Sequence, residues 1–165
     1  MSAEVTKEMF VLATPEDAQE ILDFYRSFIG QDGCTWSVDY PGPEHIRMDI
    51  EKENLFLVRD EKGIVATISI DSDEQVDALS NWTEANAKEA ARLGVRRDMQ
   101  SRGIARKMLL WLMDMLKERG YAGIHFLVSP DNRAALASYE KLEFENRGEV
   151  FLYEHNWFCY EKIWS

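Results

Sequence analysis

The sequence predicts an α/β chain, of the α+β mixed kind, in which a mixed sheet carries helices on its faces. Three observations lead there. Short apolar runs with the two-residue or continuous pattern of strands alternate with stretches whose apolar residues recur at helical spacing. Gly, Pro, Asp and Asn punctuate nearly every junction between them. At 165 residues, 45% hydrophobic and 12% aromatic, the chain is long enough to bury one sizeable core, so a single domain over 1–165 is expected.

Met9 to Ala13 is a short apolar run that reads as a strand. It stops at Thr14-Pro15-Glu16-Asp17, where Thr14 suits an N-cap and Pro15 the first helical position. In the helix that follows, Ala18, Ile21, Leu22, Tyr25 and Phe28-Ile29 recur at helical spacing, and Gly30 is placed to end it. Residues Gln31 to Pro43 read as loop, and Glu44 to Glu53 as a short charged helix. Leu55 to Val58 and Ile64 to Ile70, joined around Asp60-Glu61-Lys62-Gly63, form a hairpin. The acidic stretch Asp71 to Asn86 is a long excursion before the next strand, Ala90 to Val95, and excursions of that length are often functional.

Beyond that strand, Ile104, Met108, Leu109, Leu112, Met115 and Leu116 make an apolar stripe on a helix that Gly120 ends. Ile124 to Val128 is a buried-strand pattern, and Ser129-Pro130-Asp131-Asn132 opens a short helix through Lys141. Glu145 to Tyr153 and Trp157 to Ile163 close the chain as two strands around Glu154-His155-Asn156. The order is thus β-α-α-β-β-β-α-β-α-β-β. The closing strands offer an edge on which a second copy could pair into a homodimer.

The formal charge of −11 argues against a nucleic-acid partner, because binding to phosphate backbones is driven by Lys and Arg releasing counterions. A cationic or amine-bearing partner suits it better. Cys34 and Cys159 have no metal-ligand spacing and read as ordinary buried thiols. His45, His125 and His155 are each solitary, with His125 expected to be a satisfied core imidazole, so no metal is predicted. Met1 to Lys7 lacks the basic and apolar regions of a leader, and no run approaches the ~20 apolar residues that span a bilayer. A cytoplasmic protein with no membrane partner is the expectation.

The most informative segment is Gln100-Ser101-Arg102-Gly103-Ile104-Ala105, between the strand and the long amphipathic helix. A turn that points several backbone N–H groups one way, at the positive end of a helix dipole, offers an anion a socket. Gly103 is where ligand oxygens could come closest to the backbone. Alone, Gln-x-x-Gly-x-Ala is short enough to arise by chance as a surface turn. Its weight comes from order: Leu93-Gly94-Val95 ending a strand, the turn, a helix, a strand, then Asn132 and Tyr139. From about Ala90 to Phe144 this arrangement resembles the GNAT superfamily of acetyl-CoA-dependent N-acetyltransferases, and the element order extends the resemblance loosely over the rest.

The resemblance implies a mostly antiparallel sheet with helices on both faces and acetyl-CoA as cofactor, released as coenzyme A. It implies that the backbone of Leu93, Gly94 and Val95 would pair with the pantetheine arm, while Gln100, Ser101, Arg102, Gly103, Ile104 and Ala105 would bind the pyrophosphate. Asn132 would hydrogen-bond the cofactor, and Tyr139 would point at the sulfur. Seven residues is close to two helical turns, so Asn132 and Tyr139 share a face on spacing alone. Arg97, Ser101 and Glu143 stand where many members have proline, glycine and a helix-ending glycine. Without the resemblance, Tyr139 reads as a packed aromatic with its hydroxyl satisfied.

The implied reaction moves an acetyl group to a primary amine of a small molecule or protein by direct attack. The amine must first lose a proton, since at a pKa of about 10.4 it has no lone pair at neutral pH. Glu89 is the candidate base, because strand parity puts it on the side of Leu93 and Val95. A solvated strand charge, or a water chain to Asp71 or Glu84, are the competing readings. Two alternatives for the whole chain stay open: a non-catalytic acyl-CoA sensor or scaffold of the same fold, and a different nucleotide or phosphate ligand in the turn.

Overall fold

In a computed structural model, residues 4–31 and 34–164 are described. Asp32 and Gly33 of the expected loop lie outside them. The chain runs β1 (Val11–Leu12), α1 (Ala18–Arg26), α2 (Pro43–Glu51), β2 (Leu55–Asp60), β3 (Gly63–Asp71), α3 (Glu74–Asp77), β4 (Ala87–Val95), α4 (Ile104–Glu118), β5 (Gly123–Val128), α5 (Arg133–Lys141), β6 (Glu145–Leu152) and β7 (His155–Ile163), with short 3-10 turns at Lys7–Met9, Pro15–Asp17 and Arg97–Met99. The strand order is β1-β2-β3-β4-β5-β7-β6. β4 and β5 are parallel, whereas β1–β2, β2–β3, β5–β7 and β6–β7 are antiparallel. This is the mixed, mostly antiparallel sheet with flanking helices that the sequence predicts, with the one-turn α3 added inside the 71–86 excursion.

The chain divides into two compact units. The first comprises residues 1–30, 36–70 and 91–111, and the second 31–35, 71–90 and 112–165. The division falls within β4, after Ala90, and within α4, after Trp111.

In the first unit, α1 begins as the sequence expects. The Thr14 amide donates to the Asp17 carboxylate at 2.8 Å, closing the 3-10 turn that holds Pro15 before the helix proper. The helix ends at Arg26 rather than at Ile29 and unwinds through single turns to Gly30, whose φ is +87°. Its Ile21, Leu22, Phe24 and Tyr25 are buried, and the hairpin β2–β3 contributes Leu55, Leu57, Val58, Val65, Ala66 and Ile68 to the same core. Each such aliphatic side chain stabilises by about 1.5–3 kcal/mol on burial. Arg59 joins the hairpin to the helix entry through Asp17 and Glu20.

In the second unit an aromatic cluster joins the aliphatic core of Leu112, Leu116 and Ile124. Phe126 of β5 packs on Tyr139 at 4.6 Å and Phe144 at 5.0 Å between ring centroids, and Tyr139 lies 6.0 Å from Tyr160. The β6–β7 hairpin turns one residue earlier than the sequence suggests, on Tyr153 and Glu154, with Leu152 facing His155. Both turn residues have positive φ, 54° and 60°, as a two-residue turn of type I′ requires. Asn-Gly is the usual signal for such a turn, so its absence hid the boundary. The Tyr153 hydroxyl donates to the Asp73 carboxylate at 2.6 Å, which pins the turn from outside.

Candidate functional site

The first unit carries the turn. Arg96, the first residue after β4, donates to both oxygens of Asp60 at 2.9 and 2.6 Å and to Asp98 at 2.6 Å, and its amide donates to Val65 O at 2.7 Å. The guanidinium holds the Asp60 carboxyl down at about 2. Met99 is buried, and Gln100 folds back so that Nε2 donates to Val95 O at 2.9 Å. Gln100 therefore shapes the turn rather than reaching outward. Ser101 and Gly103 have φ of 64° and 78°, and the Lys107 amide closes the first helical bond onto Gly103 O at 3.0 Å.

The opening amides of α4 have no acceptor within the helix, which leaves them for an anion at the positive end of the dipole. A Cβ placed on Gly103 would meet nothing within 4 Å, so the space over the glycine is open to a ligand. Residues 91–111 add charge to this geometry. They hold six Lys or Arg and one Asp, in a chain whose total is −11. A polyphosphate fits this donor set.

Gly94 is needed for a different reason. A Cβ there would stand 2.9 Å from the Phe28 ring and 3.4 Å from Phe24, so only glycine lets these aromatics lie on the strand. Just before it, Arg92 has φ 52°. A left-handed residue interrupts strict alternation along a strand, which removes the parity premise for grouping Glu89 with Leu93 and Val95.

Arg92 is the residue that sequence reasoning missed. Its guanidinium is 2% exposed and grips Asp49 from Nε at 2.8 Å and Nη2 at 2.9 Å, with Nη1 donating to the Tyr40 hydroxyl at 3.0 Å. The Ser69 hydroxyl donates to the same carboxylate at 2.9 Å. The signal was present: an arginine inside the apolar run Ala90-Ala91-Arg92-Leu93 has to find a buried acceptor.

The second unit carries Glu89, Asn132 and Tyr139. Glu89 is 7% exposed, and its carboxylate converges with those of Asp71 and Asp73, ligand atoms within 4.8 Å of one another. Three carboxylates so close create a strong field for a cation. Asn132 caps α5, its Oδ1 accepting from the Ala135 amide at 3.3 Å, so its side-chain NH₂ is the group left for a ligand. Tyr139 is 8% exposed, and burial pushes its phenol pKa up. It therefore stays protonated across the neutral range.

His125 departs from expectation. Its Nε2 lies 2.8 Å from Asp77 Oδ1, but Nδ1 is buried with no hydrogen-bond partner. The ring stacks on Trp82 with centroids 4.3 Å apart and planes 7° from parallel. Of the two cysteines expected to be buried only Cys159 is, and Cys34 is partly exposed. Among the described residues no helix is long and apolar enough to cross a membrane.

Residues 16–144 match the model of the Acetyltransferase (GNAT) family. The chain belongs to the GNAT family. An acetyltransferase of Pectobacterium atrosepticum is 35% identical over 103 residues, covering 59% of this chain and 66% of its own. One from Sodalis glossinidius is 34% identical over 110 residues, 64% of this chain and 70% of its own. The alignments thus span about two thirds of the length of those two acetyltransferases. A ribosomal-protein-alanine N-acetyltransferase from Brucella melitensis shares the fold with a TM-score of 0.74 over 94% of this chain and 99% of that one, at 18% identity. So does a putative acetyltransferase from Salmonella typhimurium, solved with its cofactor acetyl-CoA, at a TM-score of 0.74 over 98% and 94% and 13% identity.

Within this GNAT chain the departures at Ser101 and Glu143 take the same backbone that glycine would. Glu143 has φ 64°, and the Glu143 and Phe144 amides donate to Glu140 O and Tyr139 O. This is the usual left-handed helix ending, built without glycine.

Proposed function

We propose that this GNAT protein transfers an acetyl group from acetyl-CoA to a primary amine. The observation that carries the reading is the turn over Gly103, where open space, the start of a long helix and a basic segment coincide. Acetyl-CoA, when bound, supplies a thioester carbonyl open to attack by an amine. Ser101 to Ala105 would hold the pyrophosphate around the turn that Gln100 shapes, the backbone of Leu93, Gly94 and Val95 would pair with the pantetheine arm, and the Asn132 amide would donate to the cofactor.

The acceptor arrives as an ammonium ion. Glu89, flanked by Asp71 and Asp73, attracts it and takes its proton, and the nitrogen gains the lone pair it attacks with. Backbone N–H groups at Leu93 to Val95 would be the donors facing the thioester oxygen. Tyr139, kept protonated by burial, would hold the proton that the cofactor's sulfur needs on leaving. Neither cysteine is required, and burial pushes the Cys159 thiol up to about 11, which keeps it un-ionised.

The protein acts in the cytoplasm on a small molecule or on a peptide or protein amine, without nucleic acid or membrane, and residues 1–165 serve as one N-acetyltransferase domain. Incubation with acetyl-CoA, a panel of polyamines, aminoglycosides and lysine peptides, and a thiol reagent tests this. Amine-dependent release of free thiol is the expected result. Coenzyme A binding with no release for any amine would instead favour a sensor module, and no thermal shift with coenzyme A would point to another phosphate ligand.

A further inference from the structure

One row of side chains in the second unit runs from Glu89 to two residues that the chemistry above leaves unused. Glu89 of β4 is in register with His125 of β5, and His125 with Glu161 of β7, so the three emerge on one side of the sheet. Adjacent strands are about 4.8 Å apart, a separation that one water or a turn of the Glu89 side chain spans. His125 is 4% exposed at its side chain, while Asp77, bonded to it, is 36% exposed.

The tautomer follows from the partners. A carboxylate only accepts, so Asp77 requires the hydrogen on Nε2, and Nδ1 is left as a lone pair. That lone pair is buried and has no donor. Trp82 lies flat on the ring, held by its own Nε1 donating to Val76 O at 2.7 Å. The imidazole thus has a fixed plane, a fixed proton and an empty basic nitrogen.

We propose that His125 is a positioning residue for Glu89, receiving at Nδ1 the proton that Glu89 takes from the acceptor ammonium. The inference rests on the acetyl-transfer reading for Glu89. An ammonium N–H bond breaks and its proton joins the Glu89 carboxylate, leaving the electron pair on nitrogen. The new O–H bond then breaks as Nδ1–H forms, and Glu89 is again an anion. The imidazolium keeps its Nε2–H on Asp77 and returns the Nδ1 proton through Glu89 to water when the product leaves, so the ring never has to turn.

The surrounding charges suit this duty. Burial pushes the His125 pKa below its usual 6.5, so the imidazole is neutral and ready at rest. Asp77 and Glu161 favour the imidazolium, and Lys88 opposes it. Glu161 is itself partly balanced by Arg147 at 2.8 Å.

Nitrogen-15 spectra of the imidazole through a pH titration read the coupling without any turnover. The Nε2–H tautomer is expected at neutral pH, and Glu89→Gln should lower the His125 midpoint by about half a pH unit or more, because a negative neighbour is lost. The Nδ1–H tautomer, or a midpoint that Glu89→Gln leaves in place, overturns the proposal. In active wild-type protein, His125→Gln should cut kcat about tenfold and move the acid limb of its pH profile while the KM for acetyl-CoA stays put. A profile of unchanged shape also overturns it. Should His125→Gln fail to fold, Asp77→Asn replaces it, with the same expected movement of the limb. If wild type acetylates no amine, the acetyl-transfer reading falls, and the spectra still decide the coupling.

Discussion

The two units of the chain divide its charge unequally. The first contains fourteen acidic and twelve basic residues, a net of −2, and the second sixteen and seven, a net of −9. Their buried polar groups differ in the same sense. In the first unit a buried carboxylate, Asp49, meets a full bidentate arginine. In the second, Glu161 is fully buried and answered mainly by neutral donors, the Thr83 hydroxyl and amide and the Glu84 amide, with Arg147 at one oxygen. The lesson is one of division of labour: a near-neutral unit with a basic segment suits the polyphosphate, and a strongly acidic unit suits an ammonium ion and its protons.

The largest expected effect separates grip from chemistry. Tyr139→Phe should lower kcat by ~10²–10⁴-fold with coenzyme A affinity nearly unchanged. Gly103→Val should do the reverse, weakening coenzyme A about tenfold or more by filling the open space and straining a left-handed backbone. Calorimetry with coenzyme A and steady-state rates would expose a failure of either half, and equal losses in both variants would dissolve the distinction.

Next comes the ion pair of the first unit. Asp49→Ala should cost about 3–5 kcal/mol in urea unfolding, because Arg92 is left charged and buried. Replacing both partners, Asp49→Leu with Arg92→Met, should recover much of that loss. A small loss in the single variant would mean that water reaches Arg92.

Acid should then loosen the second unit before the first. His125 has a folded pKa below its ordinary 6.5, so its neutral form contributes fully above that value, and the contribution is lost as pH falls through the folded pKa. Although burial alone pushes the Glu161 carboxyl up, Thr83, Arg147 and the Glu84 amide hold it below 4.5, so its contribution is lost further down. Asp60 of the first unit, held at about 2, keeps its contribution to far more acid conditions than His125 does. Hydrogen exchange at pH 5 should therefore quicken in α3 and β5 while β2–β3 stays protected. Uniform quickening would refute the ordering.

The smallest effect is a gain. Glu143→Gly should stabilise the protein by roughly 1 kcal/mol, since glycine carries no left-handed penalty. A loss of melting temperature would show that the Glu143 side chain outweighs the backbone strain.

Much of this was legible in the chain. The hairpin β2–β3, the stripe of α4 and the turn at Gly103 were readable because each is set by neighbours within a few residues: alternation, helical spacing, a glycine before a helix. The Tyr153-Glu154 turn was not, since it places ordinary residues in backbone that local propensity assigns to glycine or asparagine. Long-range hydrogen bonds override that propensity. Tyr153 reaches Asp73 across 80 positions.

The amino-acid order alone determined most of the element succession, the family and the turn before α4, because these depend on local periodicity and on backbone groups that every residue carries. Tertiary structure alone decided the buried partners. It placed Asp49 on Arg92 from 43 positions away and Asp77 on His125 from 48, and it put Glu89 beside His125 through strand register. The physical reason is that a buried charge or imidazole selects its partner by position in space, and no local pattern encodes which distant segment will supply it.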